Sequence, residues 1–401
     1  MKSQIYKRLV LVTMLISLVF VVTNATAKKP VKPTPEPSED PCLTMESFSP
    51  DYVFYRVTGK RKNQKFIISL AESDNGCEKA LVEFPTVVDG RQVAIRELNF
   101  SSFVDGGVTF GRVVWLSKIT GVYAIVWGYD FSISGTDVLP TKGLREILIN
   151  GDYWNQSIYH TDLAPDTATL TYELVLKNPD TEEYEFSVRM IDIEHCDGLP
   201  SACSFDDDRA LVFASIGPTS DFSESVSVPT WGPLGKRIYF LHYQDAYKVL
   251  QFIELDNDWK GEDWKGEDWP PGFILKDLYS SENQPEFNRM RRLASGIMGD
   301  AENKAEYLAV EFPHELTNCG YIYFINVENC DRADEPVCFT DLEFAGTNPS
   351  WTRDGKVIHN YLAPKQKACW PWGWAVGLYD GSNPGELHDG YRPNAAGGLP
   401  E

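Results

Sequence analysis

Eight cysteines, six histidines and a dense set of Trp and acidic residues are the groups in this 401-residue chain that could do chemistry. The cysteines stand at 42, 77, 196, 203, 319, 330, 338 and 369. None forms a C-x-x-C pair, and His160, His195, His242, His314, His359 and His388 show no paired spacing. A zinc site has no ligand set here, and the histidines read as surface or satisfied core groups. An even number of cysteines favours disulfides if the chain is exported.

The segment "DNDWKGEDWKGEDWPPG" (Asp256–Gly272) places Asp256, Asp258, Gly261 and Glu267 at the first, third, sixth and twelfth positions of a calcium loop. Lys260 occupies the fifth position, where an oxygen ligand belongs, and the flanks read as strand. The competing readings are a duplication of "DWKGE" in an exposed loop and an aromatic-acidic tongue for a partner. Cofactors are therefore expected to be none, with calcium at this loop as the weak exception. "CWPWGW" sets Trp370, Trp372 and Trp374 beside Cys369. Such a cluster suits either a platform for a sugar ring or a peptide proline, or a packed core.

Other charged runs say less. "DDDR" (Asp206–Arg209) reads as a solvated turn, and "RMRR" (Arg289–Arg292) is too small to offset a formal charge of −21. That charge opposes nucleic-acid and anionic-membrane partners, which require a positive footprint. No G-x-S-x-G elbow occurs, nor the S-x-D-x-G-x-T-W boxes of sialidases, and no residue stands out as catalytic.

The elements that position these groups begin after an N-terminal leader. Lys2, Lys7 and Arg8 precede the apolar run Leu9–Val22, and Ala25-Thr26-Ala27 follows, so residues 1–27 read as a signal peptide. Its removal takes away basic residues only and leaves the mature chain more acidic still. Residues 28–41, "KKPVKPTPEPSEDP", read as a stiff, Pro-rich disordered leader. From residue 42 onward, short apolar runs alternate with Gly, Pro, Asn and Asp turns. With 13% aromatic residues, this indicates an all-β protein.

The runs repeat. "SVPTWGPLGKRIYFLH" (Ser227–His242) aligns with "GTNPSWTRDGKVIHNY" (Gly346–Tyr361), pairing Trp231 with Trp351 and Gly235 with Gly355. Weaker copies surround Pro50 and Pro165. The separations Pro50 to Pro165 and Pro233 to Arg353 are nearly twice that from Pro165 to Pro233, so each hides a further copy, beginning at Phe103 and at Ala301. Six units result. "IDIEHCDGLPSACSFDD" (Ile191–Asp207) and "INVENCDRADEPVCFTD" (Ile325–Asp341) repeat independently two units apart.

The pattern P-x-W-x-x-D-G-K-x-I resembles the TolB-type repeat; Ser227–His242 departs from it with Leu234 where the turn Asp belongs. The resemblance implies a six-bladed β-propeller of four-stranded antiparallel blades over residues 42–390, followed by a C-terminal tail, 391–401. On the repeat, Cys196 would pair with Cys203, Cys330 with Cys338, Cys319 with Cys369, and Cys42 with Cys77. A Cys319–Cys369 bridge would set "CWPWGW" on the same face as "PHELTN" (Pro313–Asn318).

The expected function is a non-enzymatic binding module for an envelope or extracellular protein or peptide, located in the periplasm or secreted, with no transmembrane segment in the mature chain. The alternative is a polysaccharide-acting hydrolase or lyase on the same scaffold. A carboxylate cluster lining one channel mouth would favour the enzyme, whereas an apolar, Trp-rich rim without such a cluster would favour binding.

Overall fold

Alternation of apolar and polar residues over short runs gives strands, and closing them radially protects their edges. The computed structural model describes residues 41–60, 63–88, 90–120, 123–149, 156–196, 203–206, 210–220, 224–245, 247–255, 274–280, 282, 289–299, 304–313, 320–330, 339–361, 375–380, 385–389 and 391–395. The chain forms two units, Met1–Leu43 and Thr44–Glu401. Of the first, the described part belongs to a short 3-10 turn, Pro41–Thr44.

The second unit is a six-bladed β-propeller. Blade two is built on Arg91–Asp105, Val108–Ile119, Tyr123–Ser134 and Asp137–Ile149. Blade three contains Gln156–Leu163, Thr169–Lys177, Tyr184–Asp192 and Leu211–Thr219. Blade four contains Glu224–Trp231, Arg237–Gln244, Tyr247–Glu254 and Ile274–Ser280. Blade five contains Arg292–Met298, Ala305–Pro313, Gly320–Asn326 and Phe339–Ala345, and blade six Thr347–Trp351, Val357–Tyr361, Ala375–Tyr379 and Gly385–Asp389. Blade one combines Tyr52–Thr58, Lys65–Ala71 and Glu78–Pro85 with the C-terminal strand Tyr391–Ala395.

That last strand corrects the expected boundary at residue 390. Tyr391–Ala395 is no tail: it pairs antiparallel with Tyr52–Thr58 and supplies the inner strand that blade one would otherwise lack. The correction also explains why the copy at Pro50 is weak, since its preceding strand comes from the other end of the chain. Asn394 ties the closure to blade two by accepting the Phe100 N–H at 2.7 Å.

Blade two departs from the four-stranded expectation. Val87–Val88 and Cys203–Ser204 join its two edges, giving six strands, and Cys203–Ser204 runs parallel to its neighbour.

The core is divided into wedges between blades. Val114 and Leu116 of blade two meet Leu170 and Tyr172 of blade three. Phe186 and Met190 of blade three meet Trp231 and Phe240 of blade four. Phe324 of blade five meets Trp351 of blade six, ring centroids 5.5 Å apart. Ile358 and Val376 of blade six meet Tyr52 and Phe54 of blade one. Both repeat Trp residues thus fill inter-blade wedges, as a large ring should where two sheets diverge.

The turn chemistry is local and specific. In blade six, the Thr352 N–H donates to Lys356 O at 2.9 Å and the Gly355 N–H to Thr352 O at 3.2 Å. Gly355 has φ 82°, a conformation that costs little only without a Cβ. Blade four closes the same way without an Asp: the Gly232 N–H donates to Arg237 O at 2.7 Å, and Gly235 has φ 66°. Leu234 is therefore tolerated because backbone groups close this turn.

Candidate functional site

The inner strands of all six blades touch one another in ring order. They enclose an axial cavity of about 100 Å³. Its lining includes Glu97, Asn99, His160, Asp162, Arg292 and Asn394.

A charge network spans this cavity. Arg292 Nη1 of blade five donates to Glu97 Oε2 of blade two at 3.0 Å, joining opposite sides of the ring. Arg292 Nε lies 3.9 Å from Glu311 Oε2. His160 stands between two carboxylates, Nδ1 3.6 Å from Glu97 and Nε2 3.9 Å from Glu173. Burial works against the charge on Arg292, but Glu97 and Glu311 overcome it and hold the guanidinium above its ordinary value.

Three of these carboxylates also hold backbone. Glu173 accepts the Val228 N–H at 3.4 Å, and Glu311 accepts the Asn348 N–H at 2.8 Å. Val228 and Asn348 precede the repeat prolines and have φ 56° and 50°. Each is a bulged position whose N–H turns out of its own ladder, so a carboxylate from the preceding blade satisfies it. Asp162 accepts from the Trp231 N–H at 2.7 Å and from Thr230 Oγ1 at 2.8 Å. Burial pushes Asp162 up to about 6, against the pull of these hydrogen bonds, and burial also raises Glu173.

The axial carboxylates are therefore an inter-blade fastening. The sequence signal that could have found them is weak, because Glu97 is on blade two, His160 and Asp162 are on blade three and Arg292 is on blade five, and only ring closure brings the three strands together. His160 and Arg292, read from sequence as an isolated group and part of a small basic run, belong to this network. Among the described residues, no group of His, Cys, Asp or Glu has the arrangement of a metal site.

A second feature is the projection of blade two. Its four main strands are 12 to 15 residues long, against 5 to 9 in the other blades. On the projecting part, Phe103 and Val104 are 45% and 47% exposed, and Leu139 and Leu144 are 54% and 40% exposed. Phe103 stacks on Phe110 with centroids 5.6 Å apart. Cross-strand register aligns Phe103, Phe110, Ser132 and Leu139 in one row on one face. The same face carries Arg112, which grips Asp130 through Nε at 2.7 Å and Nη2 at 2.8 Å and donates to Thr167 O of blade three at 2.7 Å.

Cys196 and Cys203 are bonded, closing the loop after the third strand of blade three. Cys330 occupies the equivalent place in blade five and is disulfide-bonded, as are Cys77 and Cys42. Ile193–Cys196 and Val327–Cys330 each form a four-residue helix, so the second sequence repeat is a structural one. Cys319, Cys338 and Cys369 lie outside the described residues, as do Trp370, Trp372, Trp374 and the Asp256–Gly272 loop. No helix among the described residues is long and apolar enough to cross a membrane.

No protein-family model matches the chain, and no curated protein matches it. Among solved structures it is similar to TolB from Acinetobacter baumannii, at 10% identity and TM-score 0.46, covering 86% of this chain and 66% of that one. A puromycin-hydrolyzing peptidase of Mycobacterium tuberculosis is similar at 13% identity and TM-score 0.37, covering 84% of this chain and 45% of that one. Oligopeptidase B from Leishmania major is similar at 10% identity and TM-score 0.38, covering 88% and 50%. The chain spans about two thirds of the first of these and half or less of the other two.

Proposed function

We propose that this propeller is an exported, non-enzymatic module that binds a protein or peptide partner through its projecting second blade. The observation that carries this reading is the exposed row on blade two, where the stacked Phe103 and Phe110 and the exposed Leu139 stand on strands longer than those of the other blades. Exposed aromatic and aliphatic groups on a rigid sheet suit a docking surface. The axial carboxylates are the kind of cluster that would favour the enzyme, but each is engaged in holding the ring: Asp162, Glu173 and Glu311 accept hydrogen bonds from neighbouring blades, and Glu97 is paired with Arg292. Disulfide-bonded cysteines support a location outside the cytosol, periplasmic or secreted.

The test is retention of a partner from envelope extract and culture fluid by the wild-type protein, by a Phe103→Ser/Leu139→Ser variant, and by a Trp370→Ala/Trp372→Ala/Trp374→Ala variant. Loss in the blade-two variant, with an unchanged melting temperature, is the expected result. Loss confined to the Trp variant would move the site to that loop.

A further inference from the structure

At the junction of blades six and one, Lys356 Nζ lies 2.6 Å from Asp354 Oδ2 and also holds Asp74, which follows the third strand of blade one. Lys356 and Asp354 belong to the blade-six turn, so this clasp ties one turn to the neighbouring blade. At the junction of blades four and five the corresponding positions read differently. Lys236 stands where Lys356 does and Glu328 follows the third strand of blade five, but Leu234, 45% exposed, stands where Asp354 does. Between the blade-four turn and blade five there is a cavity of about 260 Å³.

Pro233, Leu234 and Ile297 give this cavity an apolar wall. Arg237, also in its lining, is already matched: Nη1 lies 3.2 Å from Glu306 Oε2 and Nη2 3.4 Å from Glu254 Oε1. Lys236 has a partner of its own. Lys304 and Glu328 are exposed lining residues, and neither enters an ion pair among the described residues. One cation and one anion are therefore left unmatched around an apolar wall. Burial, with Glu328 adding to it, pushes the Glu306 carboxyl up, so the Glu328 side of the cavity is short of positive charge.

A simple anion in this space would face Glu306 and Glu328, and a simple cation would face Lys304. A molecule carrying both charges satisfies both sides. The volume is close to the lower end of small-molecule pockets, about 300 to 1,000 Å³. We propose that this cavity binds a small zwitterion with an apolar side chain, of the class of a free amino acid or dipeptide. Its carboxylate pairs with Lys304, its ammonium group with Glu328, and its side chain lies against Pro233, Leu234 and Ile297. The site is separate from the docking surface on blade two and does not depend on it.

The probes are leucine and leucylleucine, each compared with its C-terminal amide, which lacks the carboxylate, and its N-acetyl derivative, which lacks the ammonium group. Calorimetric titration of the full chain should show one of the two zwitterions binding at least about tenfold tighter than either of its derivatives. Lys304→Gln should bring the zwitterion and its amide to the same affinity, and Glu328→Gln should do the same for the zwitterion and its N-acetyl form. Both side chains are exposed and outside any ion pair, so neither variant should change the melting temperature. Leu234→Asp, which restores the repeat residue beside Lys236, should weaken binding by at least about tenfold. No binding of either zwitterion up to about 10 mM, equal binding of a zwitterion and its derivatives, or unchanged affinity in both Lys304→Gln and Glu328→Gln would overturn the proposal. None of these results bears on partner retention by the blade-two variant, so the two readings fail separately.

Discussion

Arg292 of blade five and Glu97 of blade two meet across the axis of the ring, Nη1 to Oε2 at 3.0 Å, although they are far apart in the chain. The pair joins blades that share no sheet-to-sheet wedge. Its side chains are 23% and 15% exposed, so it is partly shielded from water. Removing one partner leaves the other carboxylates of the network facing each other with less compensation.

Arg292→Leu should therefore lower the unfolding free energy by about 2 to 3 kcal/mol, somewhat below the range for fully buried pairs. Denaturant unfolding measures this directly. The double variant Arg292→Leu/Glu97→Gln should lose less than the sum of the two single variants, because the two groups share one interaction. Additive losses would show that the cross-axis pair is not coupled.

The network also predicts a pH effect with a definite sign. Asp162 rises from 3.8 to about 6 on folding, mainly through burial. Between those values the folded state binds more protons, so the contribution is complete below about 3.8 and is lost as pH rises through about 6. Asp162→Asn removes this dependence. Relative to wild type, the variant should gain on the order of 1 to 2 kcal/mol between pH ~4 and pH ~7.5, measured as the difference in unfolding free energy at the two values.

How far the sequence reaches can be judged from these same residues. The six units are legible because Trp231 and Trp351 each fill a wedge and Gly235 and Gly355 each require positive φ, which are local demands repeated at a fixed spacing. The network around Arg292 is not legible, because its members come from blades two, three and five and carry no spacing signature. The closing strand Tyr391–Ala395 is missed for a related reason. Its described partner is far from it in sequence, it contains Pro393, and it becomes a strand by pairing with Tyr52–Thr58.

Trp351 offers a sharper test of wedge packing. It is 2% exposed, its Nε1 donates to Ala294 O at 3.0 Å, and its ring lies where a Gly296 Cβ would stand, 2.2 Å from the Trp351 Cγ. Trp351→Ala should cost about 3 to 5 kcal/mol through the cavity it leaves. Gly296→Ala should also destabilise by more than about 1 kcal/mol, because added volume has nowhere to go. A melting curve for Gly296→Ala that overlays wild type would show that the wedge is loosely packed.

The Cys196–Cys203 bond closes a loop with a sequence separation of 7. Loop-closure entropy alone gives about 2 to 3 kcal/mol for so short a loop, and both sulfurs are buried. The double variant Cys196→Ser/Cys203→Ser should lose about that much under oxidising conditions, while adding reductant should bring wild type down towards it. Because Cys203 also anchors the strand beside Leu148 and Ile149, hydrogen exchange at those two residues should quicken in the variant.

Ring closure makes the last prediction. Tyr391–Ala395 covers the inner edge of Tyr52–Thr58, and Asn394 Oδ1 takes the Phe100 N–H of blade two. Ending the chain after residue 390 would strip both contacts and leave the Tyr52–Thr58 edge open, with the buried Tyr52 and Phe54 beside it. An open edge next to apolar side chains is a template for pairing with a second copy. The truncated protein should melt at lower temperature and elute partly as dimers or larger species in size-exclusion chromatography, whereas Asn394→Ala, which removes only the side-chain acceptor, should remain in the wild-type elution position and lose about 1 kcal/mol. If truncation left both melting and elution unchanged, Tyr391–Ala395 would not be what closes the ring.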